Sequence, residues 1–161
     1  MAIYLKISNV KGNITVAQFK DAIEIFDLEF SGFSKNFRMR IGDTIDRNTG
    51  SLLVGQITFL KAQDNSTTDF FQAAHNGLVF KTVEFNYITE GKEPTIYGKL
   101  ILNNAIVTSF SEKHSQTLHR PIERISLAYT QIQKNIIPID SSGKAGSQST
   151  TGYDLEKAQA M

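Results

Sequence analysis

The hydrophobic residues of this chain recur mainly at every second position. In the first segment, Ile3 and Leu5 alternate with Tyr4 and Lys6. Because successive side chains of a β-strand point to opposite faces, this period predicts a half-buried strand. A second such segment is 79–88, in which Asn86 lies among the polar positions that are expected to face outwards. The same alternation predicts further strands at 52–60, 95–102, 105–110 and 123–133.

A change of phase interrupts the strand predicted at 22–30. Ile23 and Ile25 share one face, whereas Leu28 and Phe30 lie in the opposite phase. Since alternation along a strand is strict, we expect a bulge or sharp bend near residues 25–26. Asp27 and Glu29, which follow the bend, are then expected on a shared polar face.

One segment, at about 67–76, carries the signals of an α-helix. Ser66 and Asp69 form a capping-box pattern before it. Apolar residues from Phe70 onwards form a stripe, and Gly77 supplies a C-terminal stop. The helix spans little more than two turns, so we expect packing against the strands to stabilise it.

Two segments keep no sustained period. Residues 31–51 carry three glycines and mixed charges, and a loop of this length in a compact domain is usually functional or disordered. We therefore predict an exposed, extended loop there. Residues 141–152 are rich in Ser, Gly and Thr, a composition typical of a flexible linker. Tyr153 and Leu155 follow as apolar residues able to dock on another surface.

Six or more strands with one short helix indicate an all-β fold, either a two-sheet antiparallel barrel or a sandwich. A length of 161 residues suits one domain better than two. We assign residues 1–140 to the β-domain, with its extended loop at 31–51, and residues 141–161 to a flexible C-terminal linker and tail.

Charge and cysteine content narrow the classes of function. Seventeen Lys and Arg against sixteen Asp and Glu leave a formal net charge of +1, so no global basic field attracts nucleic acid or an anionic membrane. The absence of cysteine excludes disulfides and thiolate chemistry and is compatible with a reducing cytoplasm. The sequence has neither a signal-peptide pattern nor 18 consecutive apolar residues. We expect assembly in the cytoplasm without membrane insertion.

Candidate catalytic and metal-binding residues are sparse. His114 and His119 lie five residues apart without a third ligand at zinc spacing, which favours a surface loop. His75 lies at the end of the predicted helix, where it complements the helix dipole. The chain contains no nucleophile elbow and no glycine-rich phosphate-binding motif. We predict no cofactor, no metal and no enzymatic activity; an enzyme using the histidines and a carboxylate is the alternative.

Positive charge is concentrated in the 31–51 loop, and acidic residues interrupt it. Basic residues interleaved with an aromatic ring are typical of single-stranded nucleic-acid binding, but the interruptions and the near-neutral chain favour contact with protein. The loop residues concerned are Lys35, Phe37, Arg38, Arg40, Asp43, Asp46 and Arg47.

The ordered segments resemble a known family over nearly the whole chain. The segment at 57–85 looks like a family signature of strand, helix and strand, in which Phe59 and Lys61 precede a polar turn. The other matching segments are IYLKISNVKG (3–12), AIEIFDLEF (22–30), YGKLILNNAIVTSF (97–110), ERISLAYTQIQ (123–133) and TGYDLEKAQ (151–159). Each is weak alone, but their order and spacing are similar to those of the haemolysin-coregulated protein (Hcp) family of type VI secretion.

This resemblance implies a two-sheet β-barrel flanked by a helix, with six copies closing into a ring. Rings stack into a tube inside a contractile sheath; the tube carries a spike and effector proteins and is secreted. On this basis we expect the loop residues named above to stack the rings. Asp27 and Glu29 are candidates for the wall of the lumen, and Tyr153 and Leu155 are expected to dock on a neighbouring copy.

Two other interpretations share the same fold. One is a monomeric secreted β-sandwich that binds carbohydrate or protein, and the other is a tail-tube subunit of a phage-like contractile particle. The first is distinguished by its oligomeric state, and the second by the genes around it.

Overall fold

A computed structural model of the chain describes residues 1–37, 41–42, 50–114, 116–117 and 119–161. Twelve strands and one α-helix follow one another in these residues. The strands are β1 (Ala2–Ile7), β2 (Ile23–Ile25), β3 (Asp27–Phe30), β4 (Phe33–Asn36), β5 (Ser51–Val54), β6 (Ile57–Ala62), β7 (Val79–Ile88), β8 (Ile96–His114), β9 (Pro121–Ala128), β10 (Gln131–Ile136), β11 (Ser149–Asp154) and β12 (Gln159–Ala160). The helix α1 (Thr67–Asn76) lies between β6 and β7.

The strands form two layers that share β8. The N-terminal half of β8 pairs with β7 and β10, in a layer ordered β12-β11-β10-β8-β7-β1-β2. Its C-terminal half pairs with β9, which continues the second layer through β6 to β3. All these pairings are antiparallel. A strand that passes from one layer to the other through a bulge is a usual way to build the corner of a sandwich.

The all-β prediction is confirmed, and of its two forms the sandwich describes the structure. Hydrogen bonding does not close the sheet into a barrel: in the described residues β2 pairs with β1, whereas β3, the next strand in the chain, pairs with β6. The interruption at Phe26 separates these pairings, and its side chain is exposed. The phase change near residues 25–26 therefore marks the point where the chain changes layers.

The core between the layers is built around three phenylalanine rings. Phe59 makes edge-to-face contacts with Phe70, at a centroid distance of 5.8 Å, and with Phe85, at 5.6 Å. All three side chains are buried. Burying one such side chain contributes about 1.5–3 kcal/mol, and edge-to-face pairing adds to it. Phe70 belongs to α1, so this cluster fixes the helix against both layers.

The helix has the predicted bounds but a different N-terminal cap. Ser66 makes no side-chain capping bond to the helix. Instead, both its backbone amide and its hydroxyl donate to Asp64 Oδ1, while the backbone amide of Asp64 donates to Thr67 Oγ1. Ser66 therefore precedes the helix as predicted, but it and Asp69 do not form the hydrogen bonds of a capping box. At the other end, Gly77 adopts φ +67° and its amide donates to Ala73 O, as the glycine stop predicts.

Two predicted strand boundaries are wrong. The segments at 95–102 and 105–110 form one strand, β8, because the chain passes Asn104 with φ +52° and continues in the same ladder. Conversely, 123–133 is divided into β9 and β10 at Tyr129 and Thr130. Both strands pair with β8 on one side, but on the other side β9 pairs with β6 and β10 pairs with β11. Periodicity does not reveal such a change of partner.

Asn86 is buried although it lies in the outward phase of β7. In register it stands between Tyr4 of β1 and Lys99 of β8. Its burial is not visible in the alternation along β7 alone.

The two aperiodic segments contain strands. Residues 33–36 and 51–54 pair as a hairpin, β4–β5, in a sheet of its own. Within 141–161, β11 pairs with β10 over six residues and β12 pairs with β11. The composition of 141–152 predicts a flexible linker, yet Ser149–Asp154 lies in the sheet, because backbone pairing along β10 does not require apolar side chains.

Candidate assembly surfaces

The β4–β5 hairpin holds the beginning of the predicted stacking loop away from the sandwich. Lys35 is exposed on β4, and Phe37 follows the strand with about half of its side chain exposed. At its base, Phe33 packs edge-to-face on Phe30, at 5.4 Å, and on Tyr153, at 6.1 Å. The hairpin is therefore attached to the sandwich through aromatic contacts. Arg38, Arg40, Asp43, Asp46 and Arg47 lie outside the described residues.

Asp27 and Glu29 lie on the outer face of the second layer. Both are exposed, while Leu28 between them packs against the core. Glu29 stands beside Thr58, which stands beside Ser126 on β9, and the two hydroxyls are 2.9 Å apart. This face is therefore acidic at β3 and carries one hydroxyl pair across β6 and β9, with Leu60 and Arg124 beside Asp27 in the same register.

A second polar surface covers the outer face of the larger layer, and sequence analysis did not identify it. A row of hydrogen bonds crosses four strands: Thr82 Oγ1 donates to Asn103 Oδ1 at 3.5 Å, Asn103 Nδ2 to Gln131 Oε1 at 2.9 Å, and Gln131 Nε2 to Asp154 Oδ2 at 2.8 Å. We call this set the amide row. Gln131, Gln133 and Asn135 occupy every second position of β10, which indicates a polar face in the sequence. Which side chains they bond to depends on the pairing of the strands.

Asp154 ends the amide row and orders the tail. The backbone amide of Lys157 lowers the pKa of Asp154, and burial opposes this effect. The Gln131 side chain and the Glu156 amide lower it further. Because these donors favour the charged carboxylate, Asp154 holds the turn after β11 through two backbone amides, at 3.0 and 3.1 Å.

Tyr153 and Leu155, the predicted docking residues, both pack against this chain's own core. Tyr153 contacts Phe33 at the base of the hairpin. The backbone amide of Leu155 donates to Thr130 O at 2.8 Å. The tail and the hairpin therefore meet, which brings two of the predicted assembly elements to one end of the sandwich.

A buried ion pair lies where β6 leads into α1. Lys61 Nζ is 2.6 Å from Glu123 Oε2 and 3.0 Å from Asp64 Oδ1, and Lys61 and Glu123 are both fully buried. The ammonium group also donates to Ala62 O at 3.1 Å and to Thr67 Oγ1 at 3.4 Å. Because Lys61 and Glu123 are direct cross-strand partners, the pair joins β6, β9 and the first turn of the helix.

The histidines do not form a metal site in the described residues. His114 ends β8, and His119 adopts φ +55° in the following turn. His75 lies in the last turn of α1 and contacts the Phe71 ring at 5.7 Å. The described part of the chain contains no group of three or more His, Cys, Asp or Glu side chains arranged to hold a metal ion.

The described residues thus form a two-layer β-sandwich with one helix and a separate two-stranded hairpin. The model of the family described as "Type VI secretion system effector, Hcp" matches residues 4–135. The chain belongs to this Hcp family. None of the curated proteins compared with it matches.

Solved structures of type VI secretion proteins have the same fold. One titled as the structure of a type six secretion system protein is 25% identical, covers 99% of both chains and has a TM-score of 0.92. Hcp1 from Salmonella typhimurium is 17% identical over 99% of this chain and 98% of its own, with a TM-score of 0.76. A type VI secretion system effector from Yersinia pestis is 18% identical over 94% and 98%, with a TM-score of 0.71. Among the residues described for the present chain, no helix is long and apolar enough to cross a membrane.

Proposed function

We propose that this chain is a subunit of the inner tube of a type VI secretion system and acts without catalysis. Six copies close into a ring, and stacked rings form a conduit that carries a spike and effector proteins. The match of the Hcp family model to residues 4–135 carries this proposal, and the amide row and the exposed carboxylates of β3 support it. Assembly takes place in the bacterial cytoplasm, and export needs no signal peptide.

A ring forms when one surface of each copy binds a different surface of the next copy and the rotation between copies closes. Each copy therefore needs two unlike surfaces. The sandwich offers two such surfaces. β3 pairs only with β6 in the described residues, and β11 pairs with β12 only at Tyr153 and Asp154. Unpaired edges favour association with another chain, so each edge is a candidate for one side of the ring contact.

The oligomeric state tests the ring. Purified protein should elute as a particle of about six chains by size-exclusion chromatography with light scattering, and negative-stain images should show annular particles. A chain that stays monomeric at high concentration would contradict the tube and support the monomeric binding module. Rings alone do not distinguish a type VI tube from a phage-like tail tube. Secretion that is lost when the type VI system of the source bacterium is inactivated would support the type VI tube.

Ring stacking depends on the loop at 31–51 in this proposal. It carries charges of both signs, which suits register and choice of partner more than affinity. We expect Arg38→Glu/Arg40→Glu to preserve hexamers and abolish stacking. Lys113→Glu, an exposed charge at the far end of β8, is the matched control and should stack normally. Loss of the hexamer in the double variant would contradict the assignment.

The lumen wall is proposed to be the outer face that carries Asp27 and Glu29. A polar wall lets cargo pass because it offers no apolar surface for adhesion. Glu29→Arg should change the retention of cargo and leave rings intact. Lys6→Glu reverses a charge on the outer face of the other layer and should leave retention unchanged. The opposite result would assign the amide-row face to the lumen.

A further inference from the structure

An apolar cavity of about 340 Å³ lies beneath the β4–β5 hairpin. Phe33 and Leu52 of the hairpin and Phe30 of β3 form one side, and Leu100 and Ile132 belong to the sheet beneath. Pockets of this size with mainly apolar walls and a few polar groups are typical of sites that bind small molecules. Its lining includes residues of the hairpin and of β3 and β11, whose edges are candidates for the ring contact, but the roles proposed for these elements do not require an apolar cavity.

The polar groups of the cavity lie together at one end. Lys134 of β10 and Thr151 of β11 line it, are exposed, and stand directly opposite each other in the ladder. One step deeper on the same face, at about 7 Å along the strands, the corresponding pair is Ile132 and Tyr153. Among the ion pairs of the described residues, none involves Lys134. The cavity therefore has an apolar depth and a cationic mouth.

We propose that this cavity binds an aliphatic carboxylate. The acyl chain lies between the hairpin and the sheet, and the carboxylate accepts hydrogen bonds from the Lys134 ammonium and the Thr151 hydroxyl. Apolar walls favour methylene groups, because burying them removes apolar surface from water. A single cation at the mouth favours an anion, and a charge-assisted bond is stronger than a neutral one. A sugar would leave its hydroxyls unpaired against the walls.

Calorimetric titration of the purified protein with sodium octanoate, decanoate and dodecanoate, each below its micelle concentration, tests the proposal. Each added methylene should tighten Kd about fourfold until the cavity is full. Decanol should bind more weakly than decanoate because it lacks the charge. Absence of binding, or an affinity independent of chain length, would overturn the proposal.

Matched variants locate the ligand. Lys134→Met should weaken decanoate binding about tenfold and leave decanol binding unchanged, whereas Lys113→Met, outside the cavity, should have no effect. Ala160→Trp should fill the cavity and abolish binding, with circular dichroism and thermal unfolding as checks of the fold. If that variant does not fold, Thr151→Trp closes the mouth from an exposed strand and carries the same expectation. Decanoate binding that survives both the charge and the blocking substitutions would refute the site.

Discussion

Replacing Lys61 with methionine tests how much this fold depends on its buried ion pair. Methionine is one atom shorter than lysine but keeps an unbranched apolar stem, so the substitution creates little empty space. It removes the group that lies 2.6 Å from Glu123 Oε2 and 3.0 Å from Asp64 Oδ1. Glu123 is fully buried, and its Oε1 already has no hydrogen-bond partner in the described structure. In Lys61→Met this carboxylate therefore loses its counter-ion while remaining out of water.

The expected loss is large because an uncompensated buried charge is costly. Removing one partner of such a pair destabilises proteins by about 3–5 kcal/mol, against a total stability of about 5–15 kcal/mol for a typical domain. At about 2–4 °C per kcal/mol for a chain of this size, the melting temperature should fall by about 6–20 °C. Replacing both charges, in Lys61→Met/Glu123→Leu, should recover most of the loss, because a well-packed apolar pair is often as stable as the ion pair.

Urea unfolding followed by circular dichroism measures these free energies in one double-mutant cycle. Lys99→Met is the matched control: Lys99 Nζ lies 2.8 Å from Glu84 Oε1, but both side chains are more than a quarter exposed. Its loss should cost less than about 1 kcal/mol. A Lys61→Met variant as stable as this control, or a double variant no more stable than the single one, would show that buried charge is not the cause.

Three further outcomes follow from single residues. Phe59→Ala should cost about 3–5 kcal/mol in urea unfolding because it removes the central ring of the core, whereas Phe26→Ala, at an exposed side chain, should change stability by less than about 0.5 kcal/mol. Gly77→Ala should cost about 1 kcal/mol because φ is +67° there; a new Cβ meets only open space, so the cost comes from the backbone conformation alone. Gly91→Ala, also in open space but without a positive φ, should be neutral or slightly stabilising. Burial raises the pKa of Tyr129 from 10.0 to about 12, so the unfolded chain loses this proton first and stability should fall between pH 10 and 12. Thermal unfolding of Tyr129→Phe should lack that part of the pH dependence, and equal slopes for both proteins would contradict the assignment.

The sequence alone predicted the elements whose signals are local. Alternation identified β1 and β7, since the period of two is a property of the strand itself. The phase change before Leu28 located the bend, because a strand cannot change its buried face without one. Gly77 marked the end of the helix through a conformation that few other residues adopt. The outward direction of Asp27 and Glu29 followed from the same alternation, while their role in a lumen stays a prediction.

Only the tertiary structure decided which strands pair and how deeply each side chain is buried. Asn86 occupies an outward strand position in sequence, yet it is buried. Alternation places Glu123 in the inward phase of Ile125 and Leu127, but only the structure shows that Lys61 from another strand pairs with its charge. The residues of the amide row are up to 72 positions apart in the chain, from Thr82 to Asp154. The composition of residues 141–152 predicts a linker, yet backbone bonds to β10 hold β11 in the sheet. A periodic pattern records only neighbours along the chain, whereas burial, ion pairing and cavities depend on groups that folding brings together from distant positions.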